Sequence, residues 1–223
     1  MIKPRFIARL DIKSENLIKG IHLEGLRKIG NPNDIALSYY ENGIDEIIFM
    51  DAVAAYYDRN SLSEIIKEAC KDIFVPITVG GGIRSIEDIQ NALDCGADKV
   101  AINTEAIRRP DFIKEAARHF GSQCIVASIE AKKVNNDIWE AYYDNGRESS
   151  GRSVLSWIDE LQQLGAGEIM ITSVDNEGVR KGFDISLVEH VSSICRTPLI
   201  ISGPSNESSE IYSHIKSIVP KLK

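Results

Sequence analysis

The chain has 223 residues, 43% hydrophobic and 26% charged, with a formal net charge of −7 and an isoelectric point near 5.2. That length and composition can bury the core of a single domain, 1–223, without a disulfide or metal staple. The acidic balance and the scatter of basic residues exclude an electrostatic footprint for nucleic acid. Cys70, Cys95, Cys124 and Cys195 are far apart and match neither a metal spacing nor a disulfide scaffold. No apolar run approaches the roughly 20 residues of a membrane span, and the N-terminus lacks a signal-like stretch, so a cytoplasmic protein without a metal or cofactor is expected.

Short apolar runs alternate with segments of helical period, the pattern of repeated βα units on a parallel sheet. Strands are expected near 5–10, 45–50, 74–79, 98–102, 124–129, 168–173 and 198–202. Helices are expected between them over 33–42, 62–71, 85–95, 109–120, 153–164 and 187–193. Asn33 and Asp34 offer capping groups at one helix start, and Gly43, Gly96 and Gly165 stand where helices should stop.

Two segments read as copies of one device. Ile7-Ala8-Arg9-Leu10-Asp11-Ile12-Lys13 and Val126-Ala127-Ser128-Ile129-Glu130-Ala131-Lys132 are each an apolar run ending in a carboxylate, one residue and a lysine. Asp45 to Asp51 likewise answers Gly167 to Ser173, with Glu46 matching Glu168, and Val79-Gly80-Gly81-Gly82 answers Ile201-Ser202-Gly203-Pro204. The near-constant spacing implies a duplicated half-barrel, with halves of about 1–120 and 121–223, in an α/β fold of the TIM (β/α)8 type. The fourth strand has no recognisable partner near 220, so the eighth βα unit is expected to be missing or abbreviated.

Carboxylates at the C-terminal tips of parallel strands stand where such proteins handle ligands. Asp11 and Glu130 are therefore the candidate acid/base pair; the plainer alternative is that each caps a helix or pairs with Lys13 or Lys132. Gly80-Gly81-Gly82 with Ser85 can expose N–H groups as an anion cradle, or can simply be a tight turn. Asn103 and Thr104, at the end of the next strand, could complete that cradle or cap a local helix. Asp175-Asn176-Glu177-Gly178 offers a polar loop over the ligand and lacks the spacing of a calcium loop. Arg5, Glu46, Lys99 and Glu168 lie at the opposite strand ends, as a ring of salt bridges or as an ordinary polar barrel bottom.

Together these stretches, FIARLDIK with Lys19-Gly20, PITVGGGIRSIEDI, GADKVAINT, FGSQCIV, the GAGEIMITSVDNEG run and Lys181-Gly182-Phe183-Asp184, resemble the cyclase subunit of imidazole glycerol phosphate synthase. The resemblance implies a glutaminase partner in a heterodimer. It also implies ammonia carried through the barrel to a phosphorylated ribulosyl substrate, and a lyase and cyclase activity in histidine biosynthesis. It makes Asp11 and Glu130 catalytic, and Lys19, Gly81, Gly82, Asn103, Thr104, Thr172, Glu177, Gly178 and Gly203 substrate- or phosphate-binding. Arg5, Glu46, Lys99 and Glu168 become an ammonia gate. The chain departs from the family where a catalytic aspartate is replaced by Glu130 and a phosphate-cradling glycine by Pro204. Such departures resemble relatives associated with surface-sugar biosynthesis, which implies an alternative role as an ammonia-conducting partner of a glutaminase in glycan amidation.

Overall fold

The computed structural model describes residues 4–21, 23–54, 62–179 and 182–203. Seven parallel strands make the barrel wall, in the order β1 (Ile7–Lys13), β4 (Glu46–Asp51), β5 (Ile77–Gly80), β6 (Lys99–Ile102), β7 (Ile125–Asn135), β10 (Glu168–Ser173) and β11 (Leu199–Ser202). Helices α1 (Pro32–Glu41), α2 (Ser63–Ala69), α3 (Ile86–Asp94), α4 (Thr104–Arg108), α5 (Asp111–Phe120), α6 (Val154–Leu164) and α7 (Ile185–Ile194) lie between the strands in the sequence. This is the expected TIM-type α/β barrel. The eighth βα unit and Pro204 fall outside the described residues.

Alternation along the strands sorts the side chains into two apolar populations. Leu10, Ile12, Ile47, Phe49, Val100, Ile102, Ala127 and Ile129 face the helices and join one continuous core with Phe112, Trp157 and Leu161. Ile48, Ala101, Val126, Met170 and Ile200 form a separate cluster, with Ile7 and Met50 packed against it. That second cluster is the barrel interior, since its members occupy the other parity of the same strands. Being buried on both faces is why the strands read as continuous apolar runs; all six residues of β10 are buried. The wall curls, because Arg9 on β1 reaches Thr172 on β10 and Ser202 on β11.

Local chemistry fixes the helix ends. Asn31, rather than Asn33 or Asp34, caps α1, its side chain accepting from the N–H groups of both. Ser85 and Asp88 form a reciprocal capping box that starts α3, and Gly165, left-handed at φ 98°, ends α6. The expected helix over 109–120 is α5, which starts after Pro110, and the short α4 before that proline was not expected.

Two antiparallel additions were not expected. β2 (Asn16–Ile21) and β3 (Glu24–Gly30) form a hairpin on β1, and β8 (Ile138–Tyr143) and β9 (Glu148–Ser153) extend β7. Both rise from the C-terminal tips of strands that carry a candidate carboxylate. Lys19 stands on strand β2.

Gly81 takes φ +90°, and a Cβ there would overlap the carbonyl oxygen of Asp51. Gly81→Ala should therefore destabilise the fold by about 2 kcal/mol or more, read as a lowered midpoint in urea unfolding. Substitution of Gly151, which shares a positive φ of 71° but has open space around it, should cost less, since it adds backbone strain without an overlap.

Candidate functional site

Same-face residues along the strands stack in layers up the barrel axis. At the N-terminal end, Glu46 has no solvent exposure and collects Arg5 Nη1 at 2.9 Å, Lys99 Nζ at 2.9 and 3.0 Å, and the Thr78 hydroxyl at 2.9 Å. Glu168 accepts from Arg5 Nη2 at 2.9 Å and Lys99 Nζ at 3.1 Å. The four charges expected there thus close into a ring. Burial works against the Arg5 guanidinium, but Glu168 and Glu46 outweigh it and raise its pKa. Above the ring comes the apolar interior cluster, and above that the polar tips of the strands.

At the C-terminal end, a cleft is lined by Arg9, Asp51, Gly81, Gly82, Asn103, Thr104, Ser128 and Glu130, with Arg84 and Arg108 among its other walls. Gly81 and Gly82 both have positive φ, as a turn that points successive N–H groups outward requires. Asn103 precedes α4 without making a side-chain cap; its Nδ2 instead donates to the Tyr142 carbonyl at 3.3 Å. Its Oδ1 is buried and has no hydrogen-bond partner among the described residues. Thr104 accepts from the Asp144 N–H at 3.2 Å. The cradle is therefore backed by the β8–β9 turn, and neither side chain is spent on a helix cap.

The two carboxylates share that end in unlike settings. Asp11 pairs with Arg9 at 2.9 Å and not with Lys13. Glu130 accepts from the Gly146 N–H at 2.8 Å, while Lys132 lies over the Tyr142 ring, 5.0 Å from its centroid. Burial pushes Glu130 up to about 7, although the Gly146 N–H, Arg9 and Asn103 all favour its anion; Asp144 adds to the rise. A carboxyl group that titrates near neutrality in a polar cleft is suited to proton transfer.

Lys19 meets Glu177 at 3.3 Å, and Glu177 is buried, so the first hairpin closes onto the loop after β10. Gly178, at φ 75°, turns that loop. Thr172 pairs in register with Glu130 and holds Arg9. Gly203 faces the Phe183 ring.

Arg9 was not singled out by sequence reasoning, because a strand residue two before a carboxylate carries no motif. It is the cation at the centre of this site. Burial alone would lower its pKa, yet Asp11, Glu177 and Glu130 together raise it. Gly146 was missed as well, although Asp144-Asn145-Gly146 between two alternating runs is a hairpin signal. No group of residues able to hold a metal occurs among the described residues, and no helix among them is long and apolar enough to cross a membrane.

The model of the histidine biosynthesis protein family matches residues 5–220. The chain belongs to that family. The imidazole glycerol phosphate synthase subunit HisF of Legionella pneumophila is 56% identical over 210 residues, 94% of this chain and 99% of that protein. The subunits so named in Streptococcus sanguinis strain SK36 and Bacillus cereus strain Q1 are 42% and 41% identical over 211 residues, 95% of this chain and 84% of each relative. Within this histidine biosynthesis family frame the charged ring and the carboxylate-bearing cleft occupy opposite ends of one barrel.

The folded state keeps the Glu130 proton until about pH 7, whereas the unfolded chain releases it near the ordinary carboxylate value. Unfolding therefore sheds a proton between about pH 4.5 and 7, and Glu130's contribution to stability falls as pH rises through that window. Glu130→Gln should remove this slope, leaving the variant about 1–3 kcal/mol more stable than the parent at pH 8 and near parity at pH 4.5. Urea melts at the two pH values check it.

Proposed function

We propose that this chain is a cyclase subunit of imidazole glycerol phosphate synthase that works in a heterodimer with a glutaminase subunit. One observation carries the reading: a closed ring of four charges and a carboxylate-bearing, anion-ready cleft stand at the two ends of a single barrel axis. Ammonia released by the glutaminase passes the ring formed by Arg5, Glu46, Lys99 and Glu168 and travels through the apolar interior. At the cleft it attacks the phosphoribulosyl formimino aminoimidazole carboxamide ribonucleotide. The products are imidazole glycerol phosphate, the aminoimidazole carboxamide ribonucleotide and one water, which carries away the ketone oxygen.

In this reading Gly81, Gly82, Asn103 and Thr104 hold one phosphate of the substrate, and Thr172, Gly178 and Gly203 border the other end. Lys19 and Glu177 close over the bound molecule, keeping water from the reacting carbon and nitrogen. Asp11 and Glu130 flank the reacting atoms as the catalytic carboxylates, and the Glu130 carboxyl, half protonated near pH 7, fits the proton transfers of ring closure.

A second reading, ammonia delivery to another acceptor in surface-sugar amidation, draws on the intact ring beside an axis occupied by Arg9. Turnover decides between the two. With ammonium in place of glutamine, the purified chain should convert the ribulosyl substrate; inactivity at high ammonium, unrelieved by Glu130→Asp, would reject the histidine role. Lys99→Met should lower glutamine-driven turnover about tenfold or more in the heterodimer. Ammonium-driven turnover should stay within about twofold, since the ring touches no substrate.

A further inference from the structure

Arg9 touches both halves of the barrel wall. Its Nε donates to Asp11 Oδ1 at 2.9 Å, and its Nη1 donates to Thr172 Oγ1 at 3.0 Å and Ser202 Oγ at 3.2 Å. Thr172 and Ser202 are register partners on β10 and β11, so their hydroxyls form one seat for the planar guanidinium. The side chain is 16% exposed. A fork held by three acceptors on three strands has little freedom to leave Asp11. Glu130 makes no hydrogen bond to Arg9; it takes the Gly146 N–H and feels the guanidinium only through its charge.

We propose that Arg9 is a positioning residue that divides the duplicated carboxylates into unlike roles, committing Asp11 to the guanidinium and leaving Glu130 as the carboxyl that exchanges the proton. The inference rests on the reading of this cleft as an acid/base centre. It gives Arg9 a share in the asymmetry of the pair, beside the burial of Glu130 under the β8–β9 turn. The charged groups facing Glu130 are Arg9 from β1 and Asp144 from the β8–β9 turn; Asn103 and the Gly146 N–H complete its surroundings. Glu177 and Asp11 face Arg9 and temper its charge.

Removing either member of the Arg9–Asp11 pair should therefore move Glu130 in opposite directions. Arg9→Gln takes away a favourable cation, so the Glu130 midpoint should rise by about half a pH unit or more. Asp11→Asn strips the guanidinium of its partner and strengthens its effect on Glu130, so the midpoint should fall. Arg9→Lys keeps the charge and should bring the midpoint back toward its original value. The measurement is the carboxyl signal of 13C-labelled glutamate followed against pH, with Glu130→Gln used to assign it and circular dichroism used to confirm folding. The corresponding limb of the pH profile of ammonium-driven turnover should move with it. A purely structural Arg9 would shift neither midpoint, and unmoved midpoints in folded Arg9→Gln and Asp11→Asn would overturn the proposal. Because Asp11→Asn nearly preserves shape, it carries the test if Arg9→Gln does not fold. Opposite shifts without turnover of the ribulosyl substrate would uphold the division of roles and reject the histidine-pathway substrate.

Discussion

Glu46 has no contact with solvent, and its charge is answered from three other elements: Arg5 ahead of β1, Thr78 on β5 and Lys99 on β6. Barrel geometry forces this cooperation. A strand supplies an inward side chain only every second residue, so no single strand can surround an axial charge with partners. Each charge on the axis must be satisfied across the wall, and the wall must hold its curl for the partners to meet. The same rule governs the other end, where Arg9 on β1 is seated by β10 and β11.

Such buried charge contributes little to stability compared with well-packed apolar side chains of the same volume, because desolvation consumes most of the attraction. The apolar core between sheet and helices is continuous from Ala8 to Val191 and does not depend on the axial groups. The axis is therefore the part of the fold whose composition needs an explanation other than packing. Polar layers at both ends with an apolar layer between them suit a barrel that handles a small polar molecule. A barrel filled solely for stability would carry branched aliphatic residues throughout.

Much of this was legible in the sequence where the physics is local. Seven apolar runs became seven strands, their starts displaced by at most three residues, because period and turn residues are short-range signals. Gly43, Gly96 and Gly165 fell at helix ends with positive φ, as expected. The common position of Arg5, Glu46, Lys99 and Glu168 at the strand bases was legible, but position alone did not distinguish a closed ring from an ordinary polar barrel bottom. What escaped was long-range. The β2–β3 hairpin turns through Leu23 at φ 64° without a glycine to mark it, and nothing adjacent to Glu130 announces that Gly146 will bond it. Arg9 was read as part of a strand because its partners lie 163 and 193 positions away.

The contrast between the two carboxylates then follows from what each strand tip carries. Ser14 turns β1 back into β2 at φ 56°, and Arg9, one pleat below Asp11, is near enough to take it. β7 continues four residues beyond its pairing with β10 before turning into β8. The returning β8–β9 turn brings Asp144 and Gly146 down over Glu130. One tip thus gains a cation and the other a lid, a difference in burial that a duplicated sequence motif cannot display. Glutamate is also the better fit under that lid, since its longer side chain reaches the Gly146 N–H while its carboxyl still borders the cleft. An aspartate at position 130 would keep the charge but draw the group back toward the strand. Its acidity would then be set more by Arg9 and less by the turn.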